Sequence, residues 1–267
     1  MNEISSQLMT YALAYMAIVV VGIVMKVLKV SQTKLLFVSS LRMTVQLILA
    51  GFVLTWVFAH PHPLLTTLYF AAMLAFASHT VLSRHKGLNP RFARSVVISL
   101  FAWGTVTAVW FVTVIAGANV FDPRYAIPLG GMLVGNTMTG LSLALKSFLS
   151  SLEGERPRIR ALLNLGVHPK DILFPIVKNA FETALLPTMN SMLGMGIVLL
   201  PGMMTGQILA GASPSTAVLY QAAIMCAVCV TVCAAVLTAL TLGYRSLWDE
   251  NLCVHLPQAP RQGKTKK

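Results

Sequence analysis

Long apolar runs, each about the 20 residues needed to cross a bilayer, recur along this chain with short polar breaks between them. They lie near Leu8 to Met25, Leu35 to Ala59, Leu64 to Leu82, Ser95 to Ala118, Ala126 to Leu145, Ala184 to Leu209 and Ser215 to Leu242. Uninterrupted hydrophobicity of this length predicts helices rather than strands. The expected fold is therefore an all-α polytopic membrane protein of about seven transmembrane helices, with residues 1–267 forming one membrane domain. Polar positions inside the runs are sparse and uncharged apart from one arginine, and none of the runs holds an aspartate or glutamate. A transporter driven by protons or sodium usually keeps a carboxylate at membrane depth. That engine is missing here.

Composition agrees with the pattern. Hydrophobic residues make up 56% of the 267 and charged residues 10%, and the mean hydropathy is +0.75, far from a soluble domain. The first run is read as a retained helix rather than a cleaved signal: Met1 to Gln7 carries Glu3 and no basic residue, and no small-residue cleavage pattern precedes Lys26 and Lys29. The net charge of +12 changes the picture only through its placement. Lys26, Lys29 and Lys34 follow the first run; Arg84, Lys86, Arg91 and Arg94 follow the third; Lys146, Arg156, Arg158, Arg160, Lys170 and Lys178 follow the fifth; Arg245, Arg261, Lys264, Lys266 and Lys267 follow the seventh. The alternate connections hold only Arg124. This positive-inside pattern places the N-terminus outside and the C-terminus in the cytoplasm, with residues 245–267 as a cytoplasmic tail. Anionic lipid accounts for the excess charge, and no nucleic-acid partner is expected.

Four cysteines make no disulfide framework: Cys226, Cys229 and Cys233 lie within the seventh run and Cys253 in the tail. The longest connection, residues 147–183, carries more than filler. Ala161 to Leu165 reads as a short apolar helix, Gly166 as its C-cap, and Pro169 as the first turn of another helix. Two short helices joined at a glycine would present an apolar knuckle to the cytoplasm; a helix lying on lipid is the alternative.

Within the runs, polar side chains are the candidates for a substrate path. Arg42 and Gln46 are four apart on one helical face, although Arg42 could equally snorkel to the cytoplasmic surface. Asn136 and Thr139 sit among Gly130, Gly131, Gly135 and Gly140, a pattern that suits close helix packing as well as a path. Asn190 and Gln207 flank Pro201, where an interior proline predicts a kink, and Gln221 completes the set. For metal, Cys226, Cys229 and Cys233 share a helix face and His60 and His62 lie at the outer surface; thiols suit soft ions, and each of these residues has an ordinary packing or surface role as the alternative. Glu182 is placed either to pair with Lys178 one turn earlier or to cap the entry to the run that begins at Ala184, where the helix dipole favours a negative charge.

The segment Gly135 to Ser142 has Walker-like glycine spacing, but Leu141 stands where the phosphate-binding lysine is needed. No HExxH or GxSxG pattern is present, so an enzyme is not expected.

Ala161, Gly166 and Ile176 resemble the cytoplasmic coupling motif of ABC importer permeases, although Arg160 replaces its acidic residue. The runs Leu41 to Gly51, Ile127 to Ser142, Ala184 to Met192 and Met204 to Pro214 more closely resemble the FetB-type permeases, a family of bacterial ABC permeases linked to iron export and plant permeases linked to aluminium tolerance. The resemblance implies a permease subunit in the bacterial inner membrane, paired as a homodimer and exporting iron or another metal. ATP and magnesium would be held by a separate ABC-type ATPase, this chain binding no cofactor itself. It also implies that Ala161, Leu165, Gly166, Pro169 and Ile176 meet that ATPase. A secondary transporter or channel, or a nucleotide-sugar permease, is the alternative.

Overall fold

The computed structural model describes residues 2–30, 32–85 and 88–248, with side chains from Tyr15 onward. Lys86, Cys253 and residues 249–267 of the proposed tail lie outside the described residues. Among these residues the regular structure is helical, and the chain falls into two compact units, Met1–His60 and Pro61–Lys267.

The first unit is a hairpin of α1 (Asn2–Val27) and α2 (Thr33–Ala59). Lys29 adopts φ 53° in the turn. Contacts along the hairpin run antiparallel: the Tyr15 hydroxyl bonds Thr44 Oγ1, and the Phe37 ring covers Gly22, where any Cβ would collide with it.

The second unit contains α3 (Pro63–Arg84), α4 (Pro90–Trp110), α5 (Pro123–Gly154), α6 (Arg156–Asn164), α7 (Pro169–Gly194), α8 (Gly202–Leu209) and α9 (Pro214–Tyr244). Five of these helices begin with one device. His62, Asn89, Asp122, His168 and Ser213 each precede a proline at the first helical position and accept a backbone N–H from the first turn. The proline lacks only an N–H that would be unpaired there, while the capping atom satisfies one that remains. α4 ends in a π turn, Phe111–Ile115.

α5 is the centre of this unit, packing on α3, α4, α7 and α9. Glycines set how near the neighbours come. A Cβ on Gly130 would strike the Phe70 ring of α3 at 2.5 Å, and one on Gly140 would strike Val232 of α9 at 2.6 Å. α4 and α9 run antiparallel and are joined by hydrogen bonds between helices: the Trp103 indole donates to Thr238 Oγ1 at 2.9 Å, and the buried Thr231 hydroxyl donates to Thr107 Oγ1 at 2.9 Å. Such bonds hold membrane helices together where lipid offers no hydrophobic contrast. Near the other end of the pair, Phe92 stacks on Phe148 at 5.6 Å and its ring fills the space beside Gly243.

Four helices among the described residues are long and apolar enough to cross a bilayer: α2, α3, α4 with its π turn, and α9 with the short 3-10 turn that follows it. The protein is thus an all-α polytopic membrane protein. Two expectations change. The apolar run from Ala184 to Leu209 is not one helix kinked at Pro201; it is broken. α7 stops at Gly194, Gly196 takes φ +83°, the carbonyl of Gly194 accepts the N–H groups of Val198 and Leu199, and Pro201 restarts the chain as the N-cap of α8. Three glycines and a proline within nine residues remove both the steric bias and one donor that a continuous helix needs. The connection 147–183 also holds little loop. α5 continues to Gly154, and the helix beginning at Pro169 is not a short one but the first turns of α7.

Candidate functional site

The knuckle is built by α6 and the start of α7. Ile159 is fully buried and anchors α6, and Pro169 and Ile176 are buried on α7. At the end of α6, Gly166 takes φ +80°; its N–H bonds the carbonyl of Leu163 at 3.0 Å and the N–H of Val167 bonds that of Leu162 at 3.1 Å. This is a Schellman cap, a geometry glycine adopts without Cβ strain. His168 then starts α7, its Nδ1 accepting the Lys170 N–H at 3.1 Å. The cap turns the chain so that Leu165, 79% exposed, and Val167 form an apolar tip. Ala161, Arg160 and Lys170 are exposed beside it, and Arg158 pairs with Glu155 at 3.0 Å. Between the two helices lies a small cleft of about 130 Å³, lined in part by Leu162, Asp171, Ile172 and Asn179.

The candidate path residues separate. Asn136 and Thr139 share the exposed side of α5, each bonded only to its own helix, to the carbonyls of Met132 and Gly135. Asn190 is exposed on α7, which packs beside α5, and the Ser147 hydroxyl meets Thr183 Oγ1 at 3.4 Å between the two helices. Gln207 is half-buried on α8. Gln221 is buried on α9, and its Oε1 has no hydrogen-bond partner. Arg42 and Gln46 are exposed on α2, within the first unit. Lys146 and Asn179 extend the exposed polar strip of α5 and α7 toward the knuckle. Both fall in the stretch the sequence reads as a connection, although Lys146 lies seven residues from Thr139 and Asn179 three from Glu182, same-face spacings once both helices are extended. Glu182 lies 3.9 Å from Lys178, as its spacing suggested.

Cys226 is exposed, and Cys229 and Cys233 are half-buried. No group of three His, Cys, Asp or Glu side chains is placed to hold a metal among the described residues. His62 uses Nδ1 to cap α3, and His60 Nδ1 lies 3.2 Å from the carbonyl of Trp56.

His85, just beyond α3, is half-buried, and its Nε2 has no partner. Burial pushes its pKa below the ordinary 6.5, a shift the Ser142 carbonyl opposes and the nearby Arg84 and Lys146 charges reinforce. The folded protein therefore resists protonating His85 while the unfolded chain does not, so this contribution to stability is present above the ordinary value and is lost as pH falls through the lowered one. Taking the detergent-solubilised protein from about pH 7.5 to about pH 5.5 should lower its thermal midpoint. His85→Gln should flatten that dependence, and an unchanged slope would remove His85 from the account.

The model of the family described as Uncharacterised protein family (UPF0014) matches residues 8–248. The chain belongs to this family. It is 34% identical over 221 residues to the UPF0014 membrane protein YjkA of Bacillus subtilis, covering 81% of this chain and 84% of that protein. It is 30% identical over 238 residues to the Probable iron export permease protein FetB of Escherichia coli, covering 89% of this chain and 91% of that protein. To the protein ALUMINUM SENSITIVE 3 of Arabidopsis thaliana it is 33% identical over 184 residues, 69% of this chain and 66% of the plant protein. No solved structure matches. The family assignment and the apolar helices together make this chain an integral membrane protein.

Proposed function

We propose that this chain is the membrane permease of an ABC-type transporter in the bacterial inner membrane, exporting iron or another metal with ATP hydrolysed by a separate subunit. The observation that carries the proposal is the glycine-capped apolar tip at Leu165 and Val167, framed by basic residues on what the charge pattern makes the cytoplasmic side. Its support is the similarity to a protein named as an iron export permease, which extends over 89% of the chain. An exposed leucine on a rigid two-helix turn suits a groove on a partner better than it suits water. The reading keeps seven crossings, N-terminus outside, with α5 and the α7–α8 segment among them. Two copies pair, as two ATPases require.

Mechanistically, ATP-driven closure of the ATPases would push on the tip, and α6 and α7 would carry that displacement to the membrane. α7 is one helix from Pro169 to Gly194, so movement at its cytoplasmic start reaches Asn190 without an intervening loop. Purification from the native membrane in mild detergent, followed by ATPase assay with and without iron, tests this. A co-purifying ATPase whose turnover rises with iron is expected; a folded preparation with no such partner would favour a secondary transporter or channel.

A further inference from the structure

Within its unit the polar strip on α5 and α7 bonds only to its own two helices, Glu182 pairing with Lys178 at 3.9 Å and Asn136 and Thr139 with carbonyls of α5, and its depth decides what else can cover it. α5 lies level with three span-length helices at three points: Gly130 against Phe70 of α3, Val134 beside Gly104 of α4, and Gly140 against Val232 of α9. Asn136 falls between these contacts, so on the reading of α5 as a crossing it sits well inside the hydrocarbon layer. Its amide donates at 2.8 Å to the Met132 carbonyl and makes no bond to another helix. One N–H and most of its oxygen's capacity are left facing outward, where lipid supplies neither donor nor acceptor. The position of a Cβ on Gly135, one residue away, is open, with nothing within 4 Å. That leaves room for another helix backbone to come close.

α7 offers the complement. The Ser147–Thr183 contact and the approach of Gly140 to the Ala184 carbonyl fix the two helices in register. Lys146 and Glu182, each adjacent to one of the first pair, are therefore at one depth. Asn136, ten residues before Lys146, and Asn190, eight residues after Glu182, lie in the same direction because the two helices run antiparallel, and so are close to another common depth. A two-fold axis along the membrane normal preserves depth, and such an interface is self-complementary. Laying α5 of one copy on α7 of the next therefore brings the Asn136 amide to the Asn190 amide, and the Lys146 ammonium to the Glu182 carboxylate, twice over.

We infer that this α5–α7 face is where a second copy of the chain docks, with Asn136 meeting the partner's Asn190 and Lys146 the partner's Glu182. The inference rests on the paired-permease reading and adds the surface that does the pairing. An amide bond exchanged between copies satisfies groups that lipid leaves bare, and the two ion pairs set which helix faces which.

The test uses full-length chains with the four native cysteines replaced by serine. One tagged copy carries Asn136→Cys and a differently tagged copy Asn190→Cys, co-expressed in the membrane and oxidised. The expected product is a band at twice the 28.9 kDa chain mass carrying both tags. A control pair placing cysteine at Val230 and at Leu237, both exposed on α9, should give none. Lys146→Glu should reduce the dimer fraction several-fold, and adding Glu182→Lys should restore it. Cross-linking no greater than in the control overturns the inference, and photobleaching steps of single molecules then separate its two modes of failure. Dimers that do not link here mean that another surface pairs the copies. Monomers mean that the paired-permease reading fails too and that the strip faces something other than a second copy.

Discussion

Replacing Leu165 with aspartate is expected to strip the ATPase from the purified protein and to reduce metal transport at least tenfold, while leaving membrane insertion and yield unchanged. The side chain is 79% exposed, so its loss removes no internal packing, and surface changes of this kind cost the fold within about 0.5 kcal/mol. A carboxylate forced into an apolar groove, by contrast, is desolvated without a partner and costs several kcal/mol of binding. Gly166→Val tests the same knuckle through its backbone. A β-branched residue at φ +80° opposes the left-handed conformation by about 1–2 kcal/mol, and the cap relaxes either by strain or by unwinding. The tip then no longer presents Leu165 and Val167 at a fixed angle. The expected phenotype differs from that of Leu165→Asp: the ATPase stays bound and hydrolyses ATP, but hydrolysis no longer drives transport. Co-purification, ATPase turnover and transport measured on both variants separate docking from coupling. Normal transport in both would leave the knuckle without a role.

The second large effect is structural. Gly243→Leu should prevent accumulation of folded protein, because α9 crosses α4 where only hydrogen fits. A Cβ there would stand 2.6 Å from two ring atoms of Phe92, and that ring is fully buried against Phe148. Both rings are fully buried, so making room for a leucine side chain requires the helices to separate. Overpacking of this kind costs on the order of 3 kcal/mol, a large share of a domain's stability. Gly51→Leu provides the contrast, since nothing lies within 4 Å of that site within the chain. Fluorescence-detected size exclusion of the two variants should show aggregation for the first and a monodisperse peak for the second. Equal behaviour would mean that the α4–α9 crossing is looser than its contacts indicate.

Residue order alone settled the membrane class, because apolar runs of spanning length with no carboxylate admit few other folds. It also settled the end of α6. Gly166 followed by Pro169 is a cap and a helix start within four residues, each enforced by local sterics, and the structure adds His168 between them as the N-cap of α7. The pairing of Lys178 with Glu182 followed from helical spacing in the same way. These are short-range effects, and they survive whatever the rest of the chain does.

Other features needed the folded molecule. Gly130, Gly131, Gly135 and Gly140 look alike in sequence, yet Gly130 and Gly140 are contact points for Phe70 and Val232 while Gly135 faces open space. Which side of α5 is inside depends on the helices around it. The same holds for Asn136 and Gln221, which read as equivalent candidates until one proved exposed and the other buried. Hydropathy counted Ala184 to Leu209 as one crossing because it sums side chains and ignores backbone, and the break between Gly194 and Pro201 is a backbone event. Side-chain apolarity thus determined that the chain enters the membrane. Packing between helices distant in sequence decided which polar groups are hidden and which are left for a partner, because burial depends on what lies across from a residue and not on the residue itself.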